Sequence, residues 1–443
     1  MSHLFYLSTA QRPVLDRAEG IYMWDRTGRR FIDGSSGAMV SNIGHSNPAV
    51  LAAMRAQMER ATFGYRLHFE TEPGEQLAAK VASLSPEGME KVFFVSGGSE
   101  AVESAVKLAR QWAVVSGQAS RWKVISRFPC YHGSTLGALA LTGYDPLTDP
   151  FRPMMVAMPK IPAPRAWLDG LNPDDPATGA HYAAMLEAQI LAEGPETVLA
   201  FIQEPVGGAS IGALVPPAGY MAAVRAICDK YGILLIHDEV MSGGGRVGRF
   251  LGGDLWGVVP DIVAISKGFG AGYAPLGAMV AQSRIVDAVQ AAGGFLHGHT
   301  YAGNPLACAA GLAVLEEIER GGLMGNAARA GAVLKARLAA LMQRYGFIGD
   351  VRGEGMLLAF EIVSNRKTRE PLPPGLKAFD DLVERAYAEG LIIYSRRSRG
   401  GYAGDHFLVC PPMITTEAQV DEIMEKLDRA LDGFAAAHAG LLP

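Results

Sequence analysis

Cysteine is scarce in this chain. Cys130, Cys228, Cys308 and Cys410 are the four in 443 residues, and none form a C-x-x-C pair. A disulfide framework is therefore not expected, and a reducing, cytoplasmic setting is the expectation. Charge is thin as well: 19% of residues, with Lys plus Arg at 40 against Asp plus Glu at 45, a net charge of -5. That balance argues against a nucleic-acid surface and against a polybasic membrane anchor. No apolar run approaches the roughly 20 residues that a membrane helix needs. The opening stretch MSHLFYLSTAQRP lacks the basic-then-apolar order of a secretory signal. With 49% hydrophobic residues the chain is not disordered. Its length is enough for two or three domains.

Glycine is what abounds: 53 residues, where a usual share of about 7% would give far fewer. Glycine costs chain entropy, so the excess points to tight turns or to backbone that must approach a ligand. Eleven of the 53 fall between residues 243 and 277.

The middle of the chain alternates short apolar runs with helical patterns. KVFFVS (91–96), WKVIS (122–126), VLAFIQ (198–203), GILLIHD (232–238), DIVAIS (261–266) and 276–281 read as strands. Apolar spacing over 99–115 reads as a helix, as does 217–231 with Gly232 at its end. Continuous apolar strands separated by helices imply a mostly parallel sheet covered on both faces, an α/β fold. The flanks differ. Residues 21–25 and 30–33 suggest a small N-terminal sheet. Beyond about residue 320 come helices over 324–345, 377–389 and 416–437 and strands over 356–363 and 391–394, an α+β unit. Residues 144–180 hold eight prolines and read as a long surface excursion.

One motif misleads. Gly243, Gly245 and Gly248 form G-x-G-x-x-G after a strand, but no helical period follows and no acid stands about 20 residues on, where Lys267 and Gly268 lie instead. A dinucleotide site is excluded. Three other features carry chemistry. Ser96-Gly97-Gly98-Ser99-Glu100 ends a strand and opens a helix, which suits a phosphate; the plain alternative is a tight turn with Ser99 as helix cap. Asp238 ends a parallel strand, where α/β proteins place ligands, and a carboxylate there calls for a cationic partner. Glu239 beside it could orient a loop or pair with a base. Lys267 follows another apolar strand; a partly buried lysine loses basicity and becomes a nucleophile able to form a Schiff base. Together these fit pyridoxal 5′-phosphate (PLP), which needs a phosphate site, an aldehyde-binding lysine and an acid beside its pyridine nitrogen. No His, Cys or acid cluster has metal spacing, so no metal is expected, and His132, His297 and His299 read as structural or as supports for groups that touch a ligand.

At this point the chain resembles a class III (ω-) aminotransferase of the fold-type I PLP-dependent enzymes. The matching blocks are SGGSEAVESAVKLAR, CYHGSTLGAL, QEPVGG, HDEVMSGGGRVG, ISKGFGAGYAPLGA and HGHTYAGNPLACAA, in order along nearly the whole chain. The resemblance implies a large PLP-binding domain with a mostly parallel seven-stranded sheet over 61–322. A smaller α+β domain would be built from 1–60 and 323–443. It implies that Lys267 holds PLP as a Schiff base and then moves the proton. Asp238 pairs with the pyridinium, Gly98 and Ser99 bind the phosphate, and Tyr131, with His132 beside it, stacks on the ring. Val240 packs on the other ring face, Glu204 lies near the cofactor's 3-oxygen, and Thr300 reaches the cofactor of a neighbouring subunit in a homodimer or tetramer.

Departures from the family bear on substrate. GABA- and ornithine-type members and the dialkylglycine decarboxylase branch carry a carboxylate-gripping Arg where this chain has Leu408. A mobile arginine is expected instead in IIYSRRSRGG, from Arg396, Arg397 or Arg399, with Arg396 in best alignment despite a local insertion. Ala38-Met39 replaces a segment that often holds Trp, and Gly244 replaces a usual Phe, which suggests a roomier site bordered by Met39. The expectation is transfer of an amino group from a large apolar or extended ω-amine to pyruvate or another small keto acid, by ping-pong half-reactions. Decarboxylation, aminomutase or racemase chemistry on the same scaffold is the alternative. A non-enzymatic PLP-binding regulator is disfavoured by the lack of a DNA-binding module.

Overall fold

The computed structural model describes residues 3–5 and 12–442. Seven strands form the central sheet, in the spatial order Lys91–Val95, Gly277–Ala281, Ile262–Ile265, Leu234–Asp238, Val198–Gln203, Lys123–Phe128 and Lys160–Pro162. Gly277–Ala281 runs antiparallel to both of its neighbours, and the other pairings are parallel. The expected α/β architecture is therefore present.

Side-chain alternation explains the two-sided burial. Val124, Ala200, Ile202, Leu234 and Ile236 pack into one core with helices Gly98–Val115 and Ser283–Ala291. Ile125, Phe201 and Leu235 point the other way, onto helices Pro176–Glu193 and Tyr220–Tyr231. Each face of a strand needs its own cover, so the strands read as unbroken apolar runs.

The seventh strand comes from the proline-rich excursion. Lys160–Pro162 pairs in parallel with Ser126–Phe128 at the sheet edge. Pro162 can sit there because an edge strand need not donate on its outer side. The segment also holds short helices, Asp145–Thr148 and Ala166–Asp169, so it is a built part of the fold.

Two smaller sheets flank the large one. Leu15–Glu19, Tyr22–Asp25 and Arg30–Asp33 form a meander, and Leu391–Ile392 joins it in parallel against Ile32 and Asp33. An antiparallel sheet takes the order Ile348–Glu354, Leu357–Ile362, Ala403–Val409, Tyr394–Arg399. Three strands of the latter, 348–354, 394–399 and 403–409, go beyond the elements expected from sequence. Helices Leu323–Arg344 and Glu417–Ala437 contribute Ala327, Leu334, Val420 and Leu431 to the core under it.

One side chain fastens these parts together. Arg246, fully buried, donates to the carbonyls of Cys410 (3.1 Å) and Pro411 (2.6 Å) and to the side chain of Asn42. Asn42 in turn donates to the carbonyl of Gly244 at 2.9 Å.

Candidate active site

Three strands end on one cavity. Leu234–Asp238 delivers Asp238, Val198–Gln203 delivers Glu204 at the next residue, and Ile262–Ile265 delivers Lys267 two residues on. The cavity, about 140 Å³, is lined by these three with Gly98, Ser99, Tyr131, His132, Gly133, Val240 and Met241. The sequence-derived residues Gly98, Ser99, Tyr131, His132, Glu204, Asp238, Val240 and Lys267 thus converge. Gly133 and Met241 join them; each is a chain neighbour of a residue already singled out.

Lys267 has a positive φ of 47°, a backbone conformation that side chains rarely adopt. It keeps a partial opening to the cavity, yet the dense surroundings of its amine make charge costly. Burial pushes its pKa down to about 8, against the pull of Asp238 and Glu204 and with the repulsion of Arg246. Near neutral pH this lysine holds far more free amine, the form that attacks an aldehyde, than an ordinary lysine does.

Asp238 is buried and held on both oxygens. His132 Nδ1 lies 2.8 Å from Oδ2, and the Val240 N–H donates to Oδ1 at 3.1 Å. Burial opposes a charge on His132, but Cys130 and Asp238 more than offset it, and the imidazole is raised to about 10. Glu204 accepts from the Gly208 N–H at 2.9 Å and has the Arg127 guanidinium 3.8 Å from Oε2. Burial raises its pKa, with His132 and Arg127 pulling the other way. Glu239 is also buried and points away, accepting from the Gly253 N–H and Ser242 Oγ; burial pushes it up to about 7. It orients a loop, one of its two expected roles.

Ser99 is not a helix cap. The helix Gly98–Val115 is capped by Gly97, which offers no side-chain acceptor, and Ser99 lies in the first turn. Its Oγ accepts from the Ser134 N–H at 3.0 Å. Gly133, at φ +140°, completes this turn; a Cβ there would come within 2.7 Å of Ser99 Oγ. The uncapped first-turn N–H groups, with the positive end of an 18-residue helix behind them, form an anion cradle.

These features fit PLP. The cradle suits its phosphate, Lys267 its aldehyde and Asp238 its ring nitrogen. Glu204 Oε2 and His132 Nε2 are buried with no hydrogen-bond partner among the described residues, so polar capacity remains for a ligand.

Three expected site residues stand outside the cavity. Thr300 lies in a separate cleft with Arg66, Phe93, His297 and His299. Met39 is buried in an apolar cluster with Leu408, Val206 and the cavity-lining Met241. Arg396 is exposed on the strand Tyr394–Arg399, its guanidinium 5.0 Å from the Tyr394 ring centre. Gly244 also corrects an expectation. It does not line the cavity, and a Cβ on it would meet the Gly268 carbonyl carbon at 3.0 Å and Phe269 N at 3.1 Å. At φ +67° it permits close approach to the Lys267 loop and adds no substrate volume. The G-x-G-x-x-G string is followed by a single 3₁₀ turn, Gly252–Trp256, which offers no dinucleotide site.

Comparison with known proteins agrees with this geometry. Residues 6–431 match the family model of the class III aminotransferases. The Bacillus subtilis aminotransferase YodT is 37% identical, over 93% of each chain. The Pseudomonas aeruginosa putrescine–pyruvate aminotransferase is 34% identical, over 96% of this chain and 91% of its own. An amine transaminase from an uncultivated Pseudomonas species, solved in its PLP-bound form, superposes with a TM-score of 0.91 at 35% identity, over 98% of this chain and 99% of its own. The chain belongs to the class III aminotransferases and is a PLP-dependent transaminase.

Proposed function

We propose that this enzyme takes an amino group from an extended or apolar ω-amine and passes it to a small keto acid such as pyruvate, in two ping-pong half-reactions. The observation that carries this reading is the chemistry of the strand pair 394–399 and 403–409. Leu408, fully buried, replaces a fixed carboxylate grip with an apolar wall. Tyr394 pairs with Leu408 and joins the same apolar cluster as Met241. Arg396, two residues on, shares the Tyr394 face. Arg397 and Arg399 are committed elsewhere: Arg397 to Asp405 at 3.2 Å and to the Phe379 ring, Arg399 to the carbonyl of Arg369. Arg396 is thus the arginine suited to meet a keto-acid carboxylate and to leave for an apolar amine. Among the relatives, the Pseudomonas aeruginosa protein is named for putrescine and pyruvate, an extended diamine and a small keto acid.

Bound PLP supplies an electron sink for the substrate carbanion. The residues do the rest. Asp238, oriented by His132 and the Val240 N–H, would hold a proton on the ring nitrogen. Lys267, with its lowered pKa, would carry a proton between carbons at the cavity floor. Tyr131 and Val240 would sandwich the planar ring, and the first turn of the Gly98–Val115 helix would fix the phosphate.

A homodimer goes with this reading. Phe63, Leu67, Phe69, Leu296 and Tyr301 are large exposed apolar side chains in the segments around the Thr300 cleft. A second copy seated there would cover them and bring Thr300 to its cofactor. The parallel pairing of Leu391–Ile392 with Ile32–Asp33 supports treating 1–60 and 323–443 as one smaller unit and 61–322 as the large one. Four buried, free cysteines suit a cytoplasmic protein. No described helix is long and apolar enough to cross a membrane.

A donor panel tests the substrate reading. With pyruvate as acceptor, alanine should form from aryl-alkyl amines and diamines. Activity confined to small α-amino acids would overturn it.

A further inference from the structure

We propose that Tyr144 is a positioning residue for Arg396, docking the arginine-bearing strand onto the segment that carries Tyr131. The inference rests on the reading of Arg396 as the carboxylate-binding group.

Arg396 has no ion-pair partner among the described residues; its one side-chain contact of note is the Tyr394 ring at 5.0 Å. Its place in space is therefore inherited from its strand. That strand and the turn after it dock on residues 144–149. The Tyr144 ring is buried, and its hydroxyl accepts the Arg397 N–H at 3.3 Å. The Asp145 N–H donates to the Gly400 carbonyl at 3.1 Å. Gly401 packs closely on Pro146 and Tyr144, where a Cβ would fall 2.5 Å from Pro146 Cδ and 2.8 Å from Tyr144 Cε1. At the tip, the Tyr402 hydroxyl donates to Asp149 at 2.8 Å.

The other side of the joint reaches the cofactor cavity. Gly143, next to Tyr144, exchanges both backbone hydrogen bonds with Cys130, each at 3.1 Å. Cys130 is the neighbour of Tyr131, which lines the cavity. Two short links thus connect the cavity wall to the arginine strand. Arg396 and Tyr394 both lie near enough to Tyr144 to act on its ionisation.

Losing the hydroxyl in Tyr144→Phe removes the acceptor for the Arg397 N–H and keeps the ring. The two half-reactions of the PLP-loaded enzyme are measured separately by absorbance. The KM for pyruvate should rise roughly threefold to tenfold, the scale of one lost hydrogen bond. The amine half-reaction, and turnover of an apolar aldehyde acceptor that has no carboxylate, should stay within about twofold. Tyr402→Phe, at an exposed position, should move the pyruvate KM in the same direction by less, and it serves if Tyr144→Phe folds poorly. Arg396→Ala should raise the pyruvate KM and spare the aldehyde, and the double variant with Tyr144→Phe should lose no more than Arg396→Ala alone. Equal damage to pyruvate and aldehyde, or additive losses in the double variant, would overturn the positioning role. An unchanged pyruvate KM in Arg396→Ala would instead overturn the reading of Arg396, and the role of Tyr144 with it.

Discussion

Lys267, Asp238 and Glu204 each stand at, or within two residues of, the end of a parallel strand whose every residue is buried. Arg396 stands in the middle of a charged antiparallel strand, YSRRSR, half open to water. The first three are placed by the central sheet, with two cores pressing on its faces. The last is placed by a hairpin and by whatever the hairpin leans on. A transaminase must hold one cofactor rigidly and accept two unlike substrates in turn. Here the rigid duty falls to the sheet and the adaptable one to the hairpin.

Variants at the sheet end should give the largest effects. Lys267→Ala should lower turnover by about 10³-fold or more, since it removes both the aldehyde anchor and the proton carrier. The same lysine gives a pH signature. Apoenzyme should capture added PLP faster as pH rises and reach a plateau above about 8, because the neutral amine accumulates above its folded pKa. Normal turnover of the alanine variant, or capture independent of pH between 6 and 9, would break the contrast at its stronger side. Asp238→Asn should cost roughly 100-fold in turnover, because a buried charge partner is lost. Its PLP spectrum should shift toward the unprotonated ring, which absorbance titration would report.

The smallest effect belongs to Glu239, which touches neither substrate nor cofactor. Its carboxyl holds a proton up to about 7 when folded and releases it near the usual carboxylate range when unfolded. The folded state therefore binds more protons between those values, and stability falls as pH rises through that window. Glu239→Gln should raise the melting temperature of the apoprotein most above about pH 7 and little near pH 4.5. Melts at both ends of the window would settle the sign.

The same contrast explains what could be read from sequence. Each sheet-end residue stands one polar residue beyond an apolar run and precedes glycine or proline within a few residues, so its strand, its end and its chemistry show in one string. Tyr394–Arg399 and Ile348–Glu354 show no such run. Their polar side chains are settled by partners on other strands of the same sheet: Arg352 by Glu361 at 2.8 Å, Ser398 by Glu361 at 2.7 Å, Arg397 by Asp405. Alternation fails as a signal when both faces carry charge. Lys160–Pro162 was hidden for another reason, being three residues long between prolines. Met39 and Gly244 were assigned to the substrate wall from what they replace. Their surroundings, an apolar cluster and the backbone of the Lys267 loop, are set by tertiary packing alone.

Arg246 sits in the large sheet's loop region, yet its acceptors come from residue 42 and from residues 356, 410 and 411. During synthesis the sheet and the Lys267 loop emerge long before residue 410 does. Until then this guanidinium has its late acceptors missing, and Asn42, the brace of Gly244, waits with it. The Arg246 brace beside the catalytic loop is thus complete only when almost the entire polypeptide has been made.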